Sequence, residues 1–158
     1  MESVVPADKV NAAVLEFDLK LGVTIPEGSC AKNVSTSPIQ LIFRNYKGDG
    51  TANTTNAYFQ INPSLDVAKK ELTICGVQVG GIDEFVRIKL VADIADKIIH
   101  VYANDVLLGS GVPDQGGDPW AVFAQYGIAI STIHCFNSGG MADVYLDNVS
   151  FYNTYTLD

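Results

Sequence analysis

A chain of 158 residues can bury a core of its own within one domain, and 47% hydrophobic against 18% charged residues describes a folded globular protein, not a disordered one. Ten Lys and Arg against eighteen Asp and Glu give a formal net charge of -8, which argues against nucleic acid and anionic membrane as partners, since both need a basic face. A neutral sugar, a cation or a basic partner is compatible with that charge, as is plain solubility.

No apolar run approaches the roughly 20 residues of a spanning helix. The start, Met1-Glu2-Ser3-Val4-Val5-Pro6, lacks the basic region and long apolar core of a signal peptide. That start fits either a cytoplasmic protein or a module of a longer secreted chain, and an even spread of strand signals without tail or linker favours the second: one domain over 1–158, a monomeric module of a larger secreted or cell-surface protein.

The first strand is predicted at 13–21, where Leu15, Phe17, Leu19 and Leu21 alternate with Glu16, Asp18 and Lys20. Alternation of period two is the pattern of a half-buried antiparallel strand. After a loop around Pro26-Glu27-Gly28-Ser29, a strand at 39–46 sends Ile39, Leu41 and Phe43 to one face and Gln40, Arg44 and Tyr46 to the other. The Gly/Asn/Thr-rich stretch 47–56 reads as a loop. Residues 57–61 then put Phe59 and Ile61 inward and Tyr58 and Gln60 outward. A helical turn is conceivable at Val67-Ala68-Lys69-Lys70, and strands follow at 71–79, 85–91 and 98–103.

Residues 93–97 join two of those strands in a hairpin, and Asn104-Asp105 suits a second tight turn with positive φ. Trp120 follows a Gly/Asp/Pro loop at 113–119. Further strands are expected at 123–131 and through 143–152, where an Asp147-Asn148 pair interrupts the alternation. About ten short strands without a convincing helix make an antiparallel β-sandwich of jelly-roll type.

Three stretches together resemble the concanavalin A-like, laminin-G-like jelly rolls of lectins and carbohydrate-binding modules. They are the opening strand 15–21, the hairpin from Val86 to Leu107, and the closing Val144-Tyr145-Leu146-Asp147-Asn148-Val149. Within the hairpin, Val101-Tyr102-Ala103-Asn104 is followed by Asp105 where that family usually has glycine. The resemblance implies the sandwich, and a function in glycan recognition follows from it only as an expectation, because one fold hosts many activities.

Catalytic signatures are absent from the residue pattern. Sandwich hydrolases of the laminarinase type need carboxylates flanking the glycosidic bond. Glu16-Phe17-Asp18-Leu19-Lys20 begins such a row, but Lys20 stands where the second glutamate belongs. His100 and His134 lie in no recognisable nucleophile or metal motif. Cys30, Cys75 and Cys135 lack zinc-ligand spacing and read as buried thiols, with one disulfide plus one thiol as the other option. The chain is therefore expected to be non-catalytic, a carbohydrate-binding module recognising a polysaccharide or glycan. A structural or adhesion module of a bacterial surface protein is the second reading, and a glycan hydrolase or lyase the third.

Sugar sites pair an aromatic ring, which covers a pyranose C–H face, with planar polar groups for the hydroxyls. Arg44, Tyr46, Tyr58 and Gln60 supply both kinds on two strands able to be neighbours, and Trp120 is either a rim residue or a core anchor. Sandwiches similar to this one clip a terminal strand to the first strand with calcium. Asp18 and Asp147 are the carboxylates so placed here, with the hard oxygen donors that calcium takes.

Overall fold

A computed structural model describes residues 10–23, 35–44, 58–66, 69–81, 83–116, 120, 123, 128–135 and 142–155. Thirteen strands lie among them: β1 (Val10–Val23), β2 (Ser35–Thr36), β3 (Ile39–Arg44), β4 (Tyr58–Ile61), β5 (Ser64–Asp66), β6 (Glu71–Ile74), β7 (Val77–Gly81), β8 (Val86–Asp93), β9 (Ile98–Ala103), β10 (Val106–Gly111), β11 (Gln115–Gly116), β12 (Ala129–Cys135) and β13 (Ala142–Tyr155). They form a five-stranded sheet in the order β10-β9-β8-β1-β13, a four-stranded sheet β11-β4-β3-β12, and a second four-stranded sheet of shorter strands, β2-β5-β6-β7. Neighbouring strands pair antiparallel throughout, and the jelly-roll β-sandwich expected from the alternation is the fold observed.

Period-two patterning decides what each strand buries. In β1, Leu15, Phe17, Leu19 and Leu21 are essentially inaccessible, while Glu16, Asp18 and Lys20 are only half-buried. Ile88 and Leu90 of β8 and Ile99 and Val101 of β9 continue that inner face. They meet Ile39, Leu41, Phe43, Phe59 and Ile61 of the second sheet and Leu65, Leu72 and Ile74 of the third in one core. The Phe43 and Phe151 rings, 6.2 Å apart, connect β3 to β13. Each such side chain contributes about 1.5–3 kcal/mol on full burial.

The first and last strands pair along nearly their whole length, from Val10↔Tyr155 to Val23↔Ala142. Between Glu16↔Ser150 and Asp18↔Asp147 the register shifts, so Asn148 and Val149 together oppose Phe17. Asn148 takes the left-handed conformation at φ 51°, as one residue of a β-bulge does. The bulge resets the alternation of β13. Leu146 and Phe151, five positions apart, both pack against the core, opposite Leu19 and Leu15. The Asp147-Asn148 pair seen in the sequence marks this device.

Three expectations change. The strand expected at 123–131 starts only at Ala129 and runs on to Cys135 as β12, with Phe123 outside it. The single strand expected at 71–79 is broken into β6 and β7 by a two-residue hairpin at Cys75-Gly76, with φ of 50° and 76°. Both central residues at positive φ suit the twist of the flanking strands, and an unbroken apolar run hides the turn. Residues 69–70 form the turn between β5 and β6, with Lys70 at φ 55°, so the conceivable helical turn does not reach them; 67–68 lie outside the described residues. The Asn104-Asp105 turn is as expected, with φ of 49° and 67°.

The edge strand β10 lies against the Cys75-Gly76 hairpin so closely that a Cβ on Gly111 would stand 1.9 Å from the Cys75 carbonyl oxygen. Gly111→Ala should therefore destabilise the fold by about 1–3 kcal/mol, the usual cost of forced overpacking. Gly81→Ala, whose Cβ would meet nothing nearer than 3.9 Å, should stay within about 0.5 kcal/mol of the parent in the same denaturant titration. Equal stability of the two variants would contradict this packing.

Candidate functional site

The outer face of the four-stranded sheet collects most of the polar residues proposed from sequence. Phe43 and Phe59 are cross-strand partners with rings stacked at 4.8 Å, both buried. Their neighbours must therefore project outward. Arg44 stands opposite Tyr58, and Ile42 opposite Gln60. The Arg44 guanidinium lies 5.2 Å from the centre of the Tyr58 ring, a cation–π pair worth about 0.5–1 kcal/mol at an accessible site. This contact sets the guanidinium over one face of the ring and leaves the other face for a ligand.

Adjoining strands extend the face. Gln40 pairs with His134 of β12, whose side chain is exposed, and Gln60 pairs with Gln115 of β11. The Gln60 side chain donates to Asn62 Oδ1 at 2.8 Å. Asp114 clamps the strand end: its backbone N–H donates to the Gln60 carbonyl (2.9 Å), and its Oδ2 accepts the Asn62 N–H (2.7 Å). Gln40, Gln115 and His134 were not proposed as site residues from sequence. Gln40 shares the outward alternation of Arg44, but the pairing of β12 with β3 joins segments some ninety positions apart and leaves no local signal.

Tyr46 lies outside the described residues. Trp120 is buried, 7% exposed, with its ring stacked on Phe59 at 5.3 Å and set edge-on to Phe123. It is the core anchor among its two readings, although it also walls a cleft of about 250 Å³ with Phe59, Lys97, Pro113, Asp114 and Gln115. Cys75 is a free buried thiol whose ionisation is pushed up to about 12, by desolvation first and by the charge of Asp114 second.

Asp18 and Asp147 are register partners, so the pairing that the sequence required of them exists. Asp18 Oδ2 accepts from the Asn148 side-chain amide at 2.7 Å, and Oδ1 accepts from Arg87 at 3.3 Å. The same guanidinium nitrogen donates to the Asn148 carbonyl at 2.9 Å. Asp147 Oδ1 accepts the Asn148 backbone N–H at 2.8 Å. The Asn148 amide, helped by Arg87 and opposed by desolvation, holds the Asp18 carboxyl below its ordinary 3.8.

No protein-family model matches the chain, and no curated protein matches it. Solved structures of similar fold include an alginate lyase from Corynebacterium sp., at 15% identity and TM-score 0.42, over 93% of this chain and 60% of the lyase. A polysaccharide lyase family 7 alginate lyase matches at 12% identity and TM-score 0.40, over 91% and 60%. The NanB sialidase of Streptococcus pneumoniae matches at 17% identity and TM-score 0.42, over 94% of this chain and 23% of that one. The chain thus spans about three fifths of the lyases it matches. The expectation of a non-catalytic chain does not stand beside these likenesses, which include polysaccharide lyases and a sialidase.

The Asp18 clasp makes a pH-dependent contribution to stability. A carboxyl depressed in the folded state favours folding above its ordinary 3.8, and that contribution is lost as pH falls through the lower folded value, because the unfolded chain takes up the proton first. The stability gap between wild type and Asp18→Asn should shrink on acidification below 3.8, in urea titrations at stepped pH. A gap that stays constant would contradict the clasp.

Proposed function

We propose that the outer face of β11, β4, β3 and β12 binds a polysaccharide whose sugars carry carboxylates. The observation that carries this reading is the Arg44–Tyr58 pair: a guanidinium held over one face of an aromatic ring, with Gln60 two residues along the same strand and Gln40, Gln115 and His134 farther along the same sheet face. The ring covers the apolar face of a pyranose, the guanidinium receives a carboxylate through two parallel N–H bonds, and the glutamines serve the hydroxyls. Arg44, a cation on this face of a chain of net charge -8, supports selection of a carboxylated sugar by contact, without long-range attraction. Such a reading goes with a secreted or surface location.

A second reading is cleavage of the bound polymer, in which Tyr58 or His134 would carry a proton singly, because their partners Arg44 and Gln40 stand four residues apart on β3. Affinity electrophoresis against alginate, polygalacturonate and a neutral glucan, with product analysis of the same mixtures, tests both. Retardation by a uronate polymer is expected. Tyr58→Ala should weaken it by about 1–3 kcal/mol, and Arg44→Gln should remove the preference over the neutral glucan. Unchanged retardation in both variants, or none in the wild type, would overturn the binding face. Release of unsaturated uronate products would assign cleavage.

Calcium at the strand pair is proposed separately, from the register match of Asp18 with Asp147. Such an ion would have to draw Asp18 away from Arg87 and Asn148. With calcium bound, a chelator lowers the melting temperature and added calcium restores it, and Asp147→Ala abolishes the response. A melting temperature indifferent to chelator would remove the ion from the account.

A further inference from the structure

The outer face of the five-stranded sheet holds a second set of reactive groups, which the polysaccharide reading does not use. β8, β9 and β10 lie side by side at its edge, paired Asp93↔Ile98, Val91↔His100 and His100↔Ser110. Ile99 and Val101 are buried, so His100 between them points outward. Gly109 and Gly111 face inward, where a Cβ would meet Val77 at 3.3 Å or the Cys75 carbonyl. Ser110 therefore stands on the outer face next to His100.

The three side chains form a hydrogen-bonded chain. His100 Nδ1 is 2.7 Å from Ser110 Oγ, and His100 Nε2 is 3.1 Å from Asp93 Oδ2. Asp93 is fixed in turn by the Asp96 backbone N–H, which donates to Oδ1 at 3.2 Å. A carboxylate only accepts, so it selects the tautomer with the proton on Nε2 and leaves Nδ1 as an acceptor for the serine hydroxyl. Desolvation pushes the Asp93 carboxyl up, but the bonds from His100 and the backbone outweigh it and hold it below 3.8, so it stays ionised at neutral pH. Leu108, two residues before Ser110 on the same strand, is 40% exposed and offers apolar surface on this side. As an edge strand, β10 also directs alternate backbone N–H groups away from β9.

We propose that Ser110, His100 and Asp93 hydrolyse carboxylic esters carrying a short aliphatic acyl group. Ser110 Oγ adds to the ester carbonyl carbon while its proton passes to His100 Nδ1, and the C=O electron pair becomes the oxyanion faced by the N–H groups of the β10 edge. Collapse of that intermediate breaks the bond to the alcohol oxygen, which leaves with the proton from His100. Water then adds to the acyl–Ser110 carbonyl, giving its proton to Nδ1. The C–Oγ bond breaks, Oγ regains the proton, and the acid is released. Ester and water become acid and alcohol. Asp93 acts through His100 and is a positioning residue; Leu108 receives the acyl chain.

This inference concerns the opposite sheet and does not rest on the polysaccharide reading, so sugar-free probes test it alone. p-Nitrophenyl acetate and butyrate should be turned over, and a fluorophosphonate should label Ser110, located by peptide mass spectrometry. Ser110→Ala should abolish labelling, and Ser110→Ala and His100→Gln should each lose about 100-fold or more in kcat/KM, with melting temperatures confirming that both fold. Asp93→Asn should lower kcat with little change in KM and shift the pH profile, and Asp93→Glu should restore part of the rate. Absence of labelling, or hydrolysis undiminished in folded Ser110→Ala, would overturn the proposal.

Discussion

The pairing of β1 with β13 is the constraint on which the rest of this fold depends. It joins the two ends of the described chain over fourteen residues each and sets the five-stranded sheet. Because β1 also carries β8 on its other side, with Leu15↔Leu90 and Phe17↔Ile88 in register, one strand fixes the inner face of three. A one-residue slip would turn Leu15, Phe17, Leu19 and Leu21 to solvent, at several kcal/mol in lost burial. The bulge at Asn148 is what allows β13 to satisfy both halves of that strand. The polar clasp of Asp18, Arg87 and Asn148 sits over it on the outer side and ties β1, β8 and β13 together.

This closure leaves two outward faces with different chemistry. On the four-stranded sheet, stacking of Phe43 on Phe59 forces Arg44, Tyr58 and Gln60 outward, so the packing that stabilises the core is also what assembles the proposed glycan face. On the five-stranded sheet, the edge hairpins place Asp93, His100 and Ser110 in a line. Trp120 serves the core behind the first face, where its ring extends the aromatic stack through Phe59.

Much of this was legible in the sequence where burial is one-sided. The clean alternation of β1, the positive-φ turn at Asn104-Asp105 and the outward direction of Arg44, Tyr58 and Gln60 all follow from local pattern, because each apolar neighbour has only the core to go to. The Cys75-Gly76 hairpin was hidden, since Ile74, Cys75 and Val77 around the turn are apolar and offer no polar turn former. The neighbourhood of His134 and Gln40 depends on long-range strand order, which no local pattern encodes. The Ser110–His100 contact was hidden for a subtler reason. Counting back from the Asn104-Asp105 turn without a bulge would put Gly109 opposite His100; the register shift between Leu107 and Gly109 moves Ser110 there instead.

Native-state hydrogen exchange tests the central claim most directly. If the β1–β13 pairing closes the sandwich, the interstrand amides of both strands exchange only through global unfolding, with the same free energy and the same denaturant dependence as the β8 amides. Exchange of β13 amides at a distinctly lower free energy, while β1 and β8 stay protected, would show that the last strand is an appendage and would contradict the account.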